Sequence, residues 1–522
     1  MRGRYGRQGR RPVAGVAGLA LLTGLTGITA VAAPVGRAAA VSGSSSLARP
    51  NIVVLMTDDQ TVESLRVMPK VKALLADHGV TFSNFFANYP LCCPSRTTYF
   101  TGQYAHNHHV LYNRGTTGGF RNFRGQDTTF PVALQRAGYH TIHIGKFLNG
   151  YGKGAAPARA PIPPGWDDWN ASVDPSTYRY YDFVLNENGR AHRFGPHAYQ
   201  TDVYADLAVS KIREQAAQAA NSGKPGKSGS PDPFFLDVAF LAPHAVERET
   251  SGLDRVDEAA VGYAHRRHGI RYPVAAPKYR SRFRHARLPA GDAFDQADVS
   301  RMPANIRTRP RFSRAEIADI RTDYRRRLES LLSVDDAVER IVGALRDTGQ
   351  LDHTVIVLMS DNGYFLGEHR IPFGKYLPYE PSIRVPLIVR APSIASGATT
   401  AALASMVDIA PTLLQLAGAS PLRPPDGRSL VPVLQDPSGA TVHRAVLLES
   451  GKNDAGAPVY HGIRTARYKY VVYDDGDREL YDLRADPDEI HNLAGERAVE
   501  PLEAKLAARL ASVEECAASA CP

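Results

Sequence analysis

The chain has 522 residues, 43% of them hydrophobic, with 62 basic and 53 acidic side chains and a formal net charge of +9. That length and apolar content suffice for one large α/β domain plus a smaller one. Six of the basic residues, Arg2, Arg4, Arg7, Arg10, Arg11 and Arg37, lie in residues 1–40, which hold no acid; the rest of the chain has 56 basic against 53 acidic residues, too even a balance for a nucleic-acid footprint over the whole protein.

Residues 1–40 combine this basic start with an apolar run over about 13–33 and small residues near Ala32 and Ala40, the layout of an export signal. Arg10 and Arg11 hint at the twin-arginine route. A membrane anchor is the alternative, but Gly and Thr dilute the run and a VSGSSS linker follows. A secreted protein is expected, with no stable membrane span after signal removal, since no other stretch reaches the apolar length of one.

Residues 51–56, NIVVLM, read as a buried strand ending in Thr57, Asp58 and Asp59. Ligands of open α/β sheets gather at such carboxyl ends. Further on comes PLCCPSRTTYF. Pro94 suits the first turn of a helix, so Cys92 and Cys93 are expected at a helix amino end, where free N–H groups favour an anion and activate a thiol. A bond between these adjacent cysteines would be strained, whereas Cys516 and Cys521 could close a small loop, as an exported protein permits.

Two more strands end in candidate chemistry: residues 139–144, YHTIHI, run into Lys146, and residues 233–241, PFFLDVAFL, run into Ala242, Pro243 and His244. A Gly/Ser-rich insertion, SGKPGKSGSP, occupies 222–231. Residues 247–311 are irregular and rich in Arg and His, either a lobe facing acidic sugars or a solvated basic surface. Ser313 with Glu316 forms a capping-box pattern that opens a helix running to about Asp347, with Gly349 as its stop.

That helix leads, as a βαβ crossover requires, into residues 354–359, TVIVLM, followed by Ser360, Asp361, Asn362 and Gly363. Two buried strands that both end in oxygen donors suggest one hard-cation site shared by Asp58, Asp59, Asp361 and Asn362, favouring Ca²⁺ over zinc. Lys375 follows in a Gly-Lys-Tyr turn, with His369 nearby as a pocket or structural residue. A strand over 385–389 and a helix over about 407–416 come next, then a boundary in the Pro-rich stretch near 420–430. The tail predicts short strands at 445–448, 462–464, 468–473 and 479–481 and a helix over about 498–513.

Cys92-x-Pro94-Ser95-Arg96 resembles the signature of the sulfatase family, whose cysteine is converted to formylglycine. Four fixed positions, each filled at about 5% by average usage, make a chance occurrence rarer than about one in a hundred. The order Asp58, Asp59, Asp361, Asn362 and the lysine at 375 are similar to that family too, as are LESLLSVDDAVERI and ELYDLRADPDEIHNL. CCPSRTTYFTGQYAHNHHV with GKFLNGYG looks most like its N-acetylglucosamine-6-sulfatase branch.

The resemblance implies an alkaline-phosphatase-like α/β fold: a large mixed, mostly parallel sheet sandwiched by helices over residues 41–425, and a smaller C-terminal α+β subdomain over 426–522. It implies a sulfuric ester hydrolase acting on a sulfated carbohydrate or an aryl sulfate, with one Ca²⁺ per chain on Asp58, Asp59, Cys92, Asp361 and Asn362. A formylglycine-generating enzyme would mature Cys92 into the hydrated nucleophile. Arg96 would hold that nucleophile, Lys146 and Lys375 would bind sulfate oxygens, and His244 with Lys375 would protonate the leaving oxygen. One departure stands out: many sulfatases carry a histidine where this chain has Leu148, and His106, His108 and His109 are near only in sequence. Other readings are a broad arylsulfatase, a phosphomonoester or phosphonate hydrolase on the same fold, and a sugar-binding protein with a degenerate site. Ser95-Arg96 favours sulfate, and the filled metal positions argue against degeneracy.

Overall fold

Seven-residue runs of β-branched and long aliphatic side chains, NIVVLMT and TVIVLMS, form the middle of a ten-stranded sheet, buried on both faces. The protein is described by a computed structural model covering residues 49–221, 232–246, 272–454 and 456–521. The stretch 1–40 expected to be an export signal, the 222–231 insertion and the first part of the basic stretch, 247–271, lie outside the described residues. Those described fall in one compact unit, Ala48–Pro522.

In chain order the strands are β1 (Asn51–Thr57), β2 (Val80–Phe82), β3 (Phe85–Phe86), β4 (His140–Gly145), β5 (Asp168–Ser172), β6 (Val184–Glu187), β7 (Arg190–Arg193), β8 (Phe234–Ala239), β9 (Thr354–Ser360), β10 (Leu387–Arg390), β11 (Ala398–Thr400), β12 (Ala404–Ser405), β13 (Val446–Glu449), β14 (Tyr460–Arg464), β15 (Tyr468–Tyr473) and β16 (Arg478–Asp482). The large sheet runs β11-β2-β10-β9-β1-β8-β4-β5-β6-β7. Its centre, β9 through β5, is parallel, while β10, β6 and β7 join antiparallel. The fold is therefore the mixed, mostly parallel α/β sheet expected, with a separate antiparallel sheet, β13-β14-β15-β16, toward the carboxyl end.

Helices α1 (Cys92–Thr101), α2 (Gln200–Asn221), α3 (Arg314–Asp347), α4 (Ile409–Ala417) and α5 (Glu500–Ala511) do most of the covering. Alternate residues of β1 point to opposite faces, as the period of a strand requires. Val53 and Leu55 pack with Ala208 of α2 and Leu328 of α3, whereas Ile52 and Val54 pack with Tyr99 of α1 and Leu413 of α4. Helix α3 opens with the expected capping box, Ser313 and Glu316. The small sheet packs one face on Leu506 and Leu510 of α5 and turns Tyr460, Val471 and Tyr481 toward Tyr376 and Tyr379.

Two boundaries shift for local reasons. The strand expected at 385–389 begins at Leu387, because Pro386 has no N–H for the ladder. The last helix begins at Glu500, with a proline in its first turn. Cys516 and Cys521 form a disulfide, while Cys92 and Cys93 are free. Among the described residues no helix is long and apolar enough to cross a membrane.

Candidate active site

Register brings four strand ends to one edge. Thr57 of β1 lies level with Ser360 of β9, so Asp58 and Asp361 step off neighbouring strands together. Met56 and Gly145 both lie level with Ala239 of β8, which delivers Lys146 and, a short turn beyond β8, His244. Helix α1 starts at Cys92 against this edge with Pro94 in its first turn, and Gly102 ends it in the left-handed region at φ 67°.

Every one of these side chains is buried, as are Asp59, Arg96, Asn362 and Lys375. The Lys375 ammonium donates to Cys92 Sγ at 3.0 Å and to Asp59 Oδ1. Lys146 donates to Asp58 Oδ2, and Cys92 Sγ lies 3.6 Å from Asp58 Oδ1. Arg96 donates from Nε to Asp361 Oδ2 and from Nη1 to the Lys146 carbonyl, both at 2.8 Å, and its Nη2 stands 3.6 Å from Asp58 Oδ2. Asp361 Oδ1 accepts the N–H groups of Asn362 and Asp59 at 2.8 and 3.2 Å. His244 Nε2 stands 3.8 Å from Asp59 Oδ2. Its Nδ1 lies 2.6 Å from the Ala245 carbonyl, an acceptor only, so Nδ1 carries a proton.

Asp58, Asp59, Cys92 and His244 each offer a ligand atom, all within 4.8 Å of one another. His244 therefore borders the expected oxygen set on the Asp59 side, while Asp361 turns one oxygen to Arg96. Asn362 donates from Nδ2 to Asp59 Oδ1 at 2.7 Å, yet its buried Oδ1 has no hydrogen-bond partner among the described residues. An orphaned buried oxygen beside three carboxylates is the donor chemistry of a hard-cation ligand.

Burial pushes the Asp58 and Asp59 carboxyls up, but Lys146 beside Asp58 and Lys375 beside Asp59, each with His244, hold both below the usual carboxylate range. Burial and the Asp58 charge push Asp361 up. The helix start does not activate Cys92 as expected: complete burial, then Asp58, raise its thiol well above the usual value, outweighing Lys146 and Lys375. Cys93 is likewise pushed up, to about 12, chiefly by burial.

The four other histidines weighed from the sequence, His106, His108, His109 and His369, lie elsewhere. Leu148 is buried in the apolar core. His106 bonds Glu449 Oε2 at 2.7 Å and the Cys516 carbonyl at 2.8 Å, and His108 meets Thr98 Oγ1 at 3.0 Å. His109 caps its short helix in the left-handed region at φ 60°. His369 is buried, stacked on Tyr379 at 4.0 Å and held by Gln296, its pKa lowered to about 3 by burial and then Lys469.

Two residues escaped the sequence reading. Tyr178 lies 4.9 Å below the Lys146 ammonium and 5.3 Å from the His244 ring, with no local pattern to announce it. Arg327 donates to the Asp59 carbonyl and stacks over Tyr364 at 3.7 Å. Its signal was readable, an arginine on the same helical stripe as Tyr324, Leu328 and Leu331.

The sulfatase family model matches residues 50–419, and that of the N-sulphoglucosamine sulphohydrolase C-terminal region matches 367–516. The chain belongs to the sulfatase family. This sulfatase, a sulfuric ester hydrolase, is 31% identical over 518 residues to human N-acetylglucosamine-6-sulfatase, covering 91% of this chain and 86% of that one. It is also 31% identical over 525 residues to an arylsulfatase of Volvox carteri, covering 92% and 77%. The solved structure of BT4656 in complex with its substrate D-glucosamine-2-N,6-O-disulfate matches with a TM-score of 0.66 and 26% identity, over 89% of this chain and 97% of that chain.

Proposed function

We propose that this sulfatase hydrolyses a sulfate monoester on a sulfated sugar, with N-acetylglucosamine 6-sulfate as its substrate class, using formylglycine made from Cys92 and a calcium ion. One observation carries the reading: Cys92, at a helix amino end, is met by Lys375 at 3.0 Å and flanked by Asp58, which Lys146 neutralises. The human relative's name and the substrate of BT4656, D-glucosamine-2-N,6-O-disulfate, supply the sugar.

Asp58, Asp59, Asp361, Asn362 and the modified residue 92 would hold the cation, an oxygen set that suits calcium and includes the orphaned Asn362 Oδ1. Formylglycine as its hydrate supplies a nucleophilic oxygen for sulfur and a route to release sulfate, and the cation supplies positive charge for the ester oxygens. Arg96, fixed by Asp361 and the Lys146 carbonyl, orients residue 92 and spreads its charge toward it. Lys146 and Lys375 bind sulfate oxygens, where preorganised ammonium groups favour developing charge. His244, its ring set by Nδ1 on the Ala245 carbonyl, presents Nε2 to deliver a proton to the departing sugar oxygen, with Lys375 assisting. Export through residues 1–40, maturation by a formylglycine-generating enzyme, and the division into a catalytic part to 425 and a C-terminal part from 426 belong to the same proposal.

A second reading, a broad arylsulfatase, is favoured by the Volvox relative. Measuring kcat/KM of enzyme from the native host on N-acetylglucosamine 6-sulfate, an aryl sulfate and a phosphate monoester tests both. The proposal expects the sugar sulfate to lead. An aryl sulfate preferred more than about tenfold would contradict the sugar assignment, and a preferred phosphate ester would contradict the sulfate reading.

A further inference from the structure

We infer that the C-terminal antiparallel sheet is the frame that aims Lys375 at the reacting centre, with Tyr460 as its principal positioning residue. The inference rests on the reading that Lys375 binds the sulfate group.

Lys375 sits between Gly374, at φ 106°, and Tyr376, at φ 91°. A bulky side chain resists that left-handed region, so the surroundings must impose it on Tyr376. They do so from two sides. The Tyr376 N–H donates to the Pro90 carbonyl at 3.0 Å, two residues before Cys92. Its carbonyl accepts the Tyr460 hydroxyl of β14 at 2.6 Å. The strained peptide following Lys375 is thus clamped between the loop that leads into Cys92 and the small sheet.

The clamp continues along the loop. Lys469 of β15 donates to the Pro378 carbonyl and pairs with Glu489. The Tyr379 hydroxyl donates at 2.7 Å to Glu479 of β16, which also accepts Tyr473 and Tyr481. The Glu380 N–H donates to Glu489 Oε2 at 2.7 Å, and Arg464 Nε donates to Glu380 Oε1 at 3.0 Å. Tyr460, Lys469, Glu479 and Glu489 are all buried. Simple cohesion would be met by apolar contacts, whereas a satisfied buried polar network fixes one arrangement of the backbone it holds. The second family match, 367–516, spans the Lys375 loop and this sheet as one block.

None of these sheet residues touches the reacting atoms, so the test is a double-mutant cycle with two readouts. Tyr460→Phe, Lys375→Ala and the double variant are compared by kcat/KM on a sulfate ester and by calorimetric binding of inorganic sulfate. Tyr460→Phe is expected to lower kcat/KM by roughly 10- to 100-fold and to weaken sulfate binding, yet to change neither further once Lys375 is Ala. Equal losses in both backgrounds, or no loss in either, would overturn the inference. A Lys375→Ala enzyme with unchanged sulfate binding and turnover would overturn the role of Lys375 as well, which separates the two failures. Should Tyr460→Phe not fold, Lys469→Met carries the same cycle with the same expected pattern.

Discussion

At the scale of the residue, Lys146 from the end of β4 and Lys375 from the loop between β9 and β10 converge on Cys92, each neutralising a carboxylate beside it. Arg96 ties the third carboxylate, Asp361, into the same cluster. Because Arg96 is about 1% exposed, Arg96→Ala would leave buried charge unmatched; a loss of about 3–5 kcal/mol in urea unfolding is expected. Cys92→Ala should abolish turnover while leaving the circular dichroism and the unfolding midpoint close to those of the unaltered protein. Normal turnover in that variant would remove residue 92 from the chemistry. Asp58, Asp59, Asp361 and Asn362 were legible because β-branched runs announce their strands and the oxygen donors follow at once. The protonation of Cys92 was not, since a helix start says nothing of the burial and the Asp58 charge that outweigh it. Tyr178 escaped because only tertiary packing sets it beneath Lys146.

At the scale of the element, helix α3 was readable from its capping box. Ser313→Ala should cost about 1 kcal/mol of stability by denaturant titration. The edge strands were not readable: β7 reads RAHR and is exposed throughout, so it lacks the alternation that marks a half-buried strand. One link from the segment after α1 to the small sheet is His106, with Glu449 on one nitrogen and the Cys516 carbonyl on the other. Burial alone would lower its pKa, but the Glu449 hydrogen bond and charge raise it to about 9. A histidine raised in the folded state stabilises fully below its unfolded value near 6.5 and loses that contribution as pH rises through about 9. The stability gap between the unaltered protein and His106→Gln should therefore be about 1–2 kcal/mol larger at pH 6 than above pH 9, solvent screening of this partly exposed pair reducing the full effect. A gap independent of pH would contradict the imidazolium.

At the scale of the whole molecule, alternating strand and helix patterns were enough for the α/β class, and the paired strand ends were enough to bring Asp58 and Asp361 side by side. The bracing of the Lys375 loop by the small sheet was not visible, because Tyr460 and Tyr376 lie 84 residues apart and neither carries a motif. Removing metal tests the assembly of the site. Dialysis against a chelator should abolish turnover and lower the melting temperature, and added calcium should restore both. A cation held at 100 times its Kd contributes about 2.7 kcal/mol to the folded state. The chemistry itself turns on residue 92. Mass spectrometry of the peptide spanning Cys92, from active enzyme purified from its native host, tests it most directly. An aldehyde at position 92 that reacts with a hydrazide probe is expected. An intact thiol in fully active enzyme would contradict it.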